Sequence, residues 1–389
     1  MASDSIPGAP APGPLSPRDF LGERPLTQIF VFVGILALLG LFGQSMATNM
    51  QRVGIAPGFG FLARPTNFEI GETLIAYSSQ SSFARAILVG LVNTLVVSFV
   101  GCVIATILGV ALGAARMSSN PLLAGSVRAY VELIRNTPLL LQLFFWSATF
   151  HALPSARKAL QPVEGVFLSN RGIYIPALRL ESGLAETLAA AGILAATLLL
   201  LRGRRIGLSF RARALGSGAG LAILFLLLAL SGLARAELPA LKGFNIVGGL
   251  SLTPEFAALV VGLFVNSSAL VAEIVRSGIQ SVPQGQWEAA RSLGLHPGQI
   301  FRLVILPQAL RVITPLMTSN YLSLTKNSSL AVAIGYPDLV SIINTAANQT
   351  GQALETIIIM AAVYLAISFS VSIAMNRYNA RQALKGLGR

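Results

Sequence analysis

Lys326 is the first residue whose chemistry needs an explanation. It lies in the run TSNYLSLTKNSSLAVAIGY, some 20 residues into a candidate span and among apolar, hydroxylic and amide side chains. An ammonium buried in a bilayer costs at least about 2.5 kcal/mol, so it needs a polar interior, a partner charge or a route to the surface. Two readings stand side by side. The lysine faces a solute pathway, with Asn320, Asn327, Ser328 and Ser329 adding hydrogen bonds, or it snorkels to the outer interface. Glu132 and Arg135, three apart and just ahead of Pro138, also allow two readings: paired charges on an interfacial helix, or a gate at the cytoplasmic end.

Other chemistries are excluded residue by residue. Cys102 is the single cysteine, and His151 and His296 are the two histidines, far apart in the chain. No disulfide and no Cys/His metal cluster can be built from them. The four lysines, Lys158, Lys242, Lys326 and Lys385, follow Arg157, Leu241, Thr325 and Leu384, so a G-K-[ST] phosphate loop is impossible. No nucleophile, acid/base pair or cofactor site emerges, and catalytic residues are expected to be absent.

A third feature is mechanical. The stretch SVPQGQWEAARSLGLHPGQIFRLVILPQ, Ser281 to Gln308, reads as two short helices joined by a tight turn. Pro283 suits a helix start, Gln286 to Leu293 favours helix, Gly294 suits the position after a helix end, and Pro297 opens a second helix. Glu288 and Arg291 share one face, and Trp287, Ala290 and Leu293 another. Such an elbow offers a compact knob to a partner.

The elements that must position these residues are membrane spans. Hydrophobic residues make up 54% of the 389 and charged ones 11%, against about a quarter charged in soluble domains. The mean hydropathy is +0.70. Candidate spans are Leu26 to Met46, Ala84 to Ala115, Pro138 to Leu153, Gly183 to Leu201, Ser217 to Ala234, Phe256 to Ile279, Leu306 to Ile334 and Thr356 to Met375. Most are long enough for a core of about 30 Å, and the Pro138 run needs its amphipathic lead-in to reach. The expectation is an all-α polytopic membrane protein with about eight transmembrane helices.

Net charge is +13, but the cations recur in clusters between apolar runs, which argues topology and not nucleic acid. With the N-terminus inside, seventeen basic residues fall in the cytoplasm and nine outside. Both termini are therefore expected to be cytoplasmic. The chain divides into a disordered cytoplasmic tail at 1–25, a first span and external loop at 26–83, a first core part at 84–153, an insertion with two extra spans at 154–251, a second core part at 252–378 carrying the 281–308 loop, and a tail at 379–389. Gly109 and Gly113, and Gly216 and Gly220, are spaced for close helix approach and carry no functional weight.

Glu288, Ala289 and Ala290, then three residues, Gly294, then nine residues, Val304, Ile305, Leu306 and Pro307 resemble the EAA motif of permease subunits in bacterial ABC importers. Only Val304 departs from it, with Val where that pattern has Ile. Asn93-Thr94, YVELIRNTPLLLQLFF at Tyr130 to Phe145 and LTKNSSLAVAIGYPDL at Leu324 to Leu339 resemble the polar amino-acid branch of that family. The overall plan is similar to the larger permeases for general L-amino acids or for glutamate, glutamine, aspartate and asparagine.

The resemblance implies a type I importer core in the bacterial inner membrane and an ATPase-coupling site at Glu288, Ala289, Ala290, Gly294, Leu306 and Pro307. It also implies ATP and Mg bound on separate ATPase subunits, a second and related permease chain, and a periplasmic amino-acid-binding protein. Lys326 would then suit the substrate carboxylate. The alternative, an ion-coupled secondary transporter, should show repeated halves, and no convincing internal repeat is found.

Overall fold

The computed structural model describes residues 25–52, 54, 58–180 and 234–387. Its long helices are α1 Pro25–Arg52, α2 Phe83–Arg116, α5 Pro254–Gln280, α8 Leu306–Asn327 and α10 Ala353–Leu387. Between them run α3 Pro121–Asn136, α4 Leu139–His151, α6 Gln284–Ser292, α7 Pro297–Gln299 and α9 Leu339–Thr350. Starts are set by side chains that satisfy orphan amides. Ser82 accepts from the Arg85 N–H at 3.3 Å, Asn120 from Leu122 at 3.0 Å, and Thr253 from Phe256 at 3.1 Å.

Among the described residues, five helices are long and apolar enough to cross a membrane: Leu26–Asn49, Phe83–Arg116, Pro254–Gln280, Pro297–Ile334 with its 3₁₀ end, and Ala353–Arg377. The Pro138 run differs from its expectation. Helix α4 has 13 residues, about 20 Å at 1.5 Å per residue, and its lead-in is a separate helix. Pro138 forces the break: Thr137 before it is extended, at φ −99° and ψ 126°. The runs at 183–201 and 217–234 lie outside the described residues, apart from Ala234, which opens a strand.

The expectation of an all-α chain is corrected by eight short strands among the described residues, on either side of residues 181–233. Strands β1 Leu160–Val163, β2 Val166–Ser169, β3 Gly172–Ile175 and β8 Leu250–Leu252 form one antiparallel sheet in that order. Strands β4 Ala177–Leu180 and β5 Ala234–Glu237 form a ribbon, and β6 Ala240–Lys242 and β7 Asn245–Val247 a hairpin. The two-residue loops Glu164-Gly165 and Gly243-Phe244 are hairpin turns.

Helix α5 is the centre of the bundle. Of its most apolar stretch 61% is inside the protein, against 28% for α2 and none for α1 or α10. The α2–α5 crossing is what Gly109 and Gly113 permit. A Cβ on Gly109 would sit 2.5 Å from the Val271 Cβ and 2.8 Å from the Ser268 carbonyl oxygen, and one on Gly113 would sit 2.9 Å from the Ala272 carbonyl oxygen. The backbones touch because nothing stands between them. The Gly216 and Gly220 pair lies outside the described residues.

Overpacking of this contact is expected to destabilise the bundle. Gly109→Leu should lower stability by at least about 1–3 kcal/mol, whereas Gly125→Ala, inside a helix with nothing within 4 Å, should raise it by up to about 1 kcal/mol. Thermal unfolding in detergent followed by size-exclusion chromatography measures both, and equal melting temperatures for the two variants would refute the packing argument.

Candidate functional site

The elbow is built on α5 and α8. Helix α6 ends at Leu293, and Gly294 turns the chain at φ +71°, donating its N–H to the Arg291 carbonyl at 2.9 Å. A residue with a Cβ is disfavoured in that left-handed geometry. Helix α7 opens at Pro297, with Gln299 Oε1 accepting from the His296 N–H at 3.0 Å. Residues Ile300–Ile305 then form a π turn before α8. Pro307 has no N–H to give the Leu303 carbonyl, so the regular hydrogen-bond ladder cannot run through this point.

The six proposed coupling residues divide by position. Glu288 and Ala289 are exposed, with the exposed Arg291 beside them. Ala290 points inward and is 3% exposed. Gly294 makes the turn and has open space around it, while Leu306 and Pro307 start α8. A single apolar cluster fastens the elbow to the bundle: Ala290 and Ile300 of the elbow pack with Val275, Ile279 and Val282 on one side and Ile305, Ala309 and Ile313 on the other. Leu293 is 78% exposed at the tip, an apolar contact that the motif does not specify. A cavity of about 490 Å³ lies between the elbow and the end of α2, lined by Met117, Gln280, Trp287, Glu288 and Arg291.

Above the elbow sits an ionic cluster that sequence reasoning missed: it counted Arg116 and Arg276 as markers of sidedness and set Arg135 with Glu132. Glu273 of α5 pairs with Arg116 of α2 and with Arg276 one turn along α5, and Arg135 of α3 approaches to 3.9 Å. Glu132 and Arg135 are not partners of each other. Glu132 pairs with Arg128 at 2.8 Å on the exposed face of α3, and Arg135 turns to Glu273.

The pathway candidates are not gathered into one set of free donors. Asn320 is buried and donates from Nδ2 to Ser267 Oγ at 2.8 Å. Ser328 is buried and donates to the Thr325 carbonyl at 2.7 Å. Asn327 is half-buried and Ser329 likewise. Lys326 is exposed in the last turn of α8, about 30 Å along the helix from Leu306. It forms no ion pair among the described residues.

Asn93 and Thr94 work at the other end of the bundle as a clamp. Asn93 Nδ2 donates to the carbonyls of Glu72 at 3.0 Å and Pro337 at 2.9 Å, and Thr94 Oγ1 accepts from the Leu339 N–H at 3.0 Å. Gly90, one turn earlier, lets the Leu339 backbone approach to where a Cβ would stand 2.9 Å away. Asp338 caps α9 through the Ser341 N–H at 2.8 Å and is wholly buried.

With this geometry in view, comparison with known proteins identifies the class. The family of binding-protein-dependent transport system inner membrane components matches residues 105–383, and the chain belongs to it. The general L-amino acid transport system permease protein AapQ of Rhizobium johnstonii is 41% identical over 369 residues, 92% of this chain and 91% of that one. The YhdX protein of Escherichia coli, provisionally named an amino-acid ABC transporter permease, is 46% identical over 368 residues, 92% of this chain and 94% of its own. The glutamate/glutamine/aspartate/asparagine transport system permease protein BztB of Rhodobacter capsulatus is 37% identical over 397 aligned positions, 92% of this chain and 93% of its own.

Asp338 generates a pH dependence. Removal from water pushes its carboxyl up from 3.8 to about 7, against the Ser341 and Val340 N–H groups that pull it down. A carboxyl raised in the folded state contributes most stability when protonated, and that contribution fades as pH rises toward the folded value. Melting temperature should therefore fall from about pH 4 to pH 7, and Asp338→Asn should flatten this part of the profile. An unchanged slope in Asp338→Asn would show that another group carries it.

Proposed function

We propose that this chain is the permease subunit of an ATP-driven, binding-protein-dependent ABC importer that moves polar L-amino acids into the cytoplasm by alternating access. The observation that carries the reading is the elbow. It holds the EAA pattern, exposes Glu288 and Ala289, and is fastened to α5 and α8 by one apolar cluster. The names of the relatives support amino acids as the substrate class.

In this proposal the chain has eight spans: α1, α2, the short α4, α5, α8, α10, and two at 183–201 and 217–234. Both termini and the elbow lie in the cytoplasm of a bacterial cell, and the β strands lie outside. Support comes from the excess of basic residues on the elbow side. The domain divisions read from the sequence follow the same plan, with the core interrupted at 154–251. ATP and Mg bind ATPase chains docked on the elbow, and this chain holds no cofactor and does no catalysis. A second, related permease and a soluble binding protein complete the assembly in the inner membrane.

Coupling and substrate contact are then separable. Glu288→Lys reverses the charge on the docking face, and Gly294→Val strains the turn by about 1–2 kcal/mol. Both are expected to leave the protein inserted while weakening ATPase co-purification and abolishing ATP-driven uptake. Normal uptake by both variants would refute the elbow as the joint.

Lys326, exposed and without an ion pair among the described residues, is the proposed partner of the substrate carboxylate, with Asn327 beside it; Asn320 and Ser328 hold the helix instead. Lys326→Met should impair uptake of radiolabelled amino acid by at least about tenfold while assembly persists, and Lys326→Arg should keep part of the activity. A Met variant with unchanged affinity and rate would remove Lys326 from the pathway.

A further inference from the structure

The segment between α4 and α5 places one cation, Arg157, over an exposed aromatic ring and carries three more, Lys158, Arg171 and Lys242, on the neighbouring turns and hairpin. The hairpin β6–β7 turns at Gly243-Phe244, and the guanidinium of Arg157 lies over the Phe244 ring at 3.3 Å. Arg171 donates to Oδ1 of Asn245, the residue after Phe244. Lys158 is next to Arg157 and Lys242 precedes the turn, and all four cations are exposed. None of them forms an ion pair with a carboxylate among the described residues. Phe244 itself is 67% exposed, and Val247 and Leu241 on the same hairpin are 49% and 46% exposed.

A charged and apolar surface of this kind is poorly suited to bulk water. The cations repel one another and the apolar side chains gain nothing there. It suits a boundary where anions and hydrocarbon lie within a side chain's reach of each other.

The course of the chain says which boundary. The ribbon β4–β5 ends at Leu180 and begins again at Ala234, and the apolar runs at 183–201 and 217–234 start and finish at those points. With those runs as the two spans proposed above, the ribbon lies where they enter the membrane. At about 3.3 Å per residue, the four-residue ribbon is roughly 13 Å long, and the hairpin tip at Phe244 follows ten residues after Ala234. Helix α5 leaves β8 through Thr253 with no room for a long linker, so the strands are tied to the bilayer from two sides.

We propose that the hairpin tip at Lys242–Asn245, with Arg157, Lys158 and Arg171, is a binding surface for anionic phospholipid headgroups. Phe244 enters the headgroup boundary and the four cations engage phosphate. The strands are then an interfacial foot at the membrane end of α5. The proposal rests on the reading of α5 and of the runs at 183–201 and 217–234 as spans, and not on the direction or substrate of transport, so it stands or falls separately from the coupling and substrate readings above.

The test uses the assembled complex in nanodiscs of phosphatidylcholine, with or without phosphatidylglycerol, and a lipid carrying a nitroxide on its headgroup. An environment-sensitive fluorophore is placed by Phe244→Cys in a Cys102→Ser background, and by Glu69→Cys as an exposed control. Quenching should be stronger at 244 than at 69 and should rise with phosphatidylglycerol. The double variant Lys158→Gln/Lys242→Gln, made on each labelled protein, should lose the phosphatidylglycerol-dependent part at 244 and change nothing at 69. Equal quenching at the two positions would overturn the proposal. So would protection of position 244 by added binding protein with no effect of lipid composition, which would make the surface a protein-docking face.

Discussion

The attachment of the elbow to α5 and α8 is the constraint on which the rest of this protein depends. Ala290 and Ile300 are buried among Val275, Ile279, Val282, Ala309 and Ile313, and Gly278 of α5 packs against Ile313 of α8 with no side chain between. An elbow held only by its two chain ends would bend when pushed. One buried in the same cluster as the helices it joins must carry them with it, because a close-packed interior transmits displacement instead of absorbing it. The α2–α5 crossing at Gly109 and Gly113 and the Glu273 cluster extend the same body to α2 and α3.

The two ends of the bundle are built differently, and the difference suits a carrier that opens at one end at a time. Near the elbow, Glu273 gathers arginines from three helices through ionic contacts of partly exposed groups, which water can loosen and re-form. At the far end Asn93 and Thr94 bind backbone groups in buried hydrogen bonds. Losing one there leaves an unpaired amide or carbonyl, so that end is held in a defined arrangement.

Much of this was legible in the sequence where a local pattern has one structural solution. Gly294 and Pro297 mark the elbow's turn and second helix because few residues suit those backbone positions, and the long apolar helices follow from length alone. The strands were not legible as such: each has three or four residues, too short to show alternation against a background that is apolar throughout. The partners of Glu273 and Asn93 were also hidden. Arg116 lies 157 residues from Glu273, and Pro337 lies 244 from Asn93, and such pairings exist only once the helices have packed. Lys326 was singled out by its cost in a membrane, but the same argument grouped it with Asn320 and Ser328, whose donors are used inside the helix bundle.

The central claim is that elbow, α5 and α8 move as one body. It can be measured as a distance distribution between spin labels at Arg291→Cys on the elbow and Leu250→Cys beyond the far end of α5, in a Cys102→Ser background within the complete transporter. The two positions are separated by the 27 residues of α5, about 40 Å of helix, which suits pulsed electron resonance. The account predicts the same distribution without nucleotide and with ATP trapped, while the distance from Arg291→Cys to a label on the partner permease changes. A shift of the intrachain distance by a helical turn, about 5 Å, would contradict it.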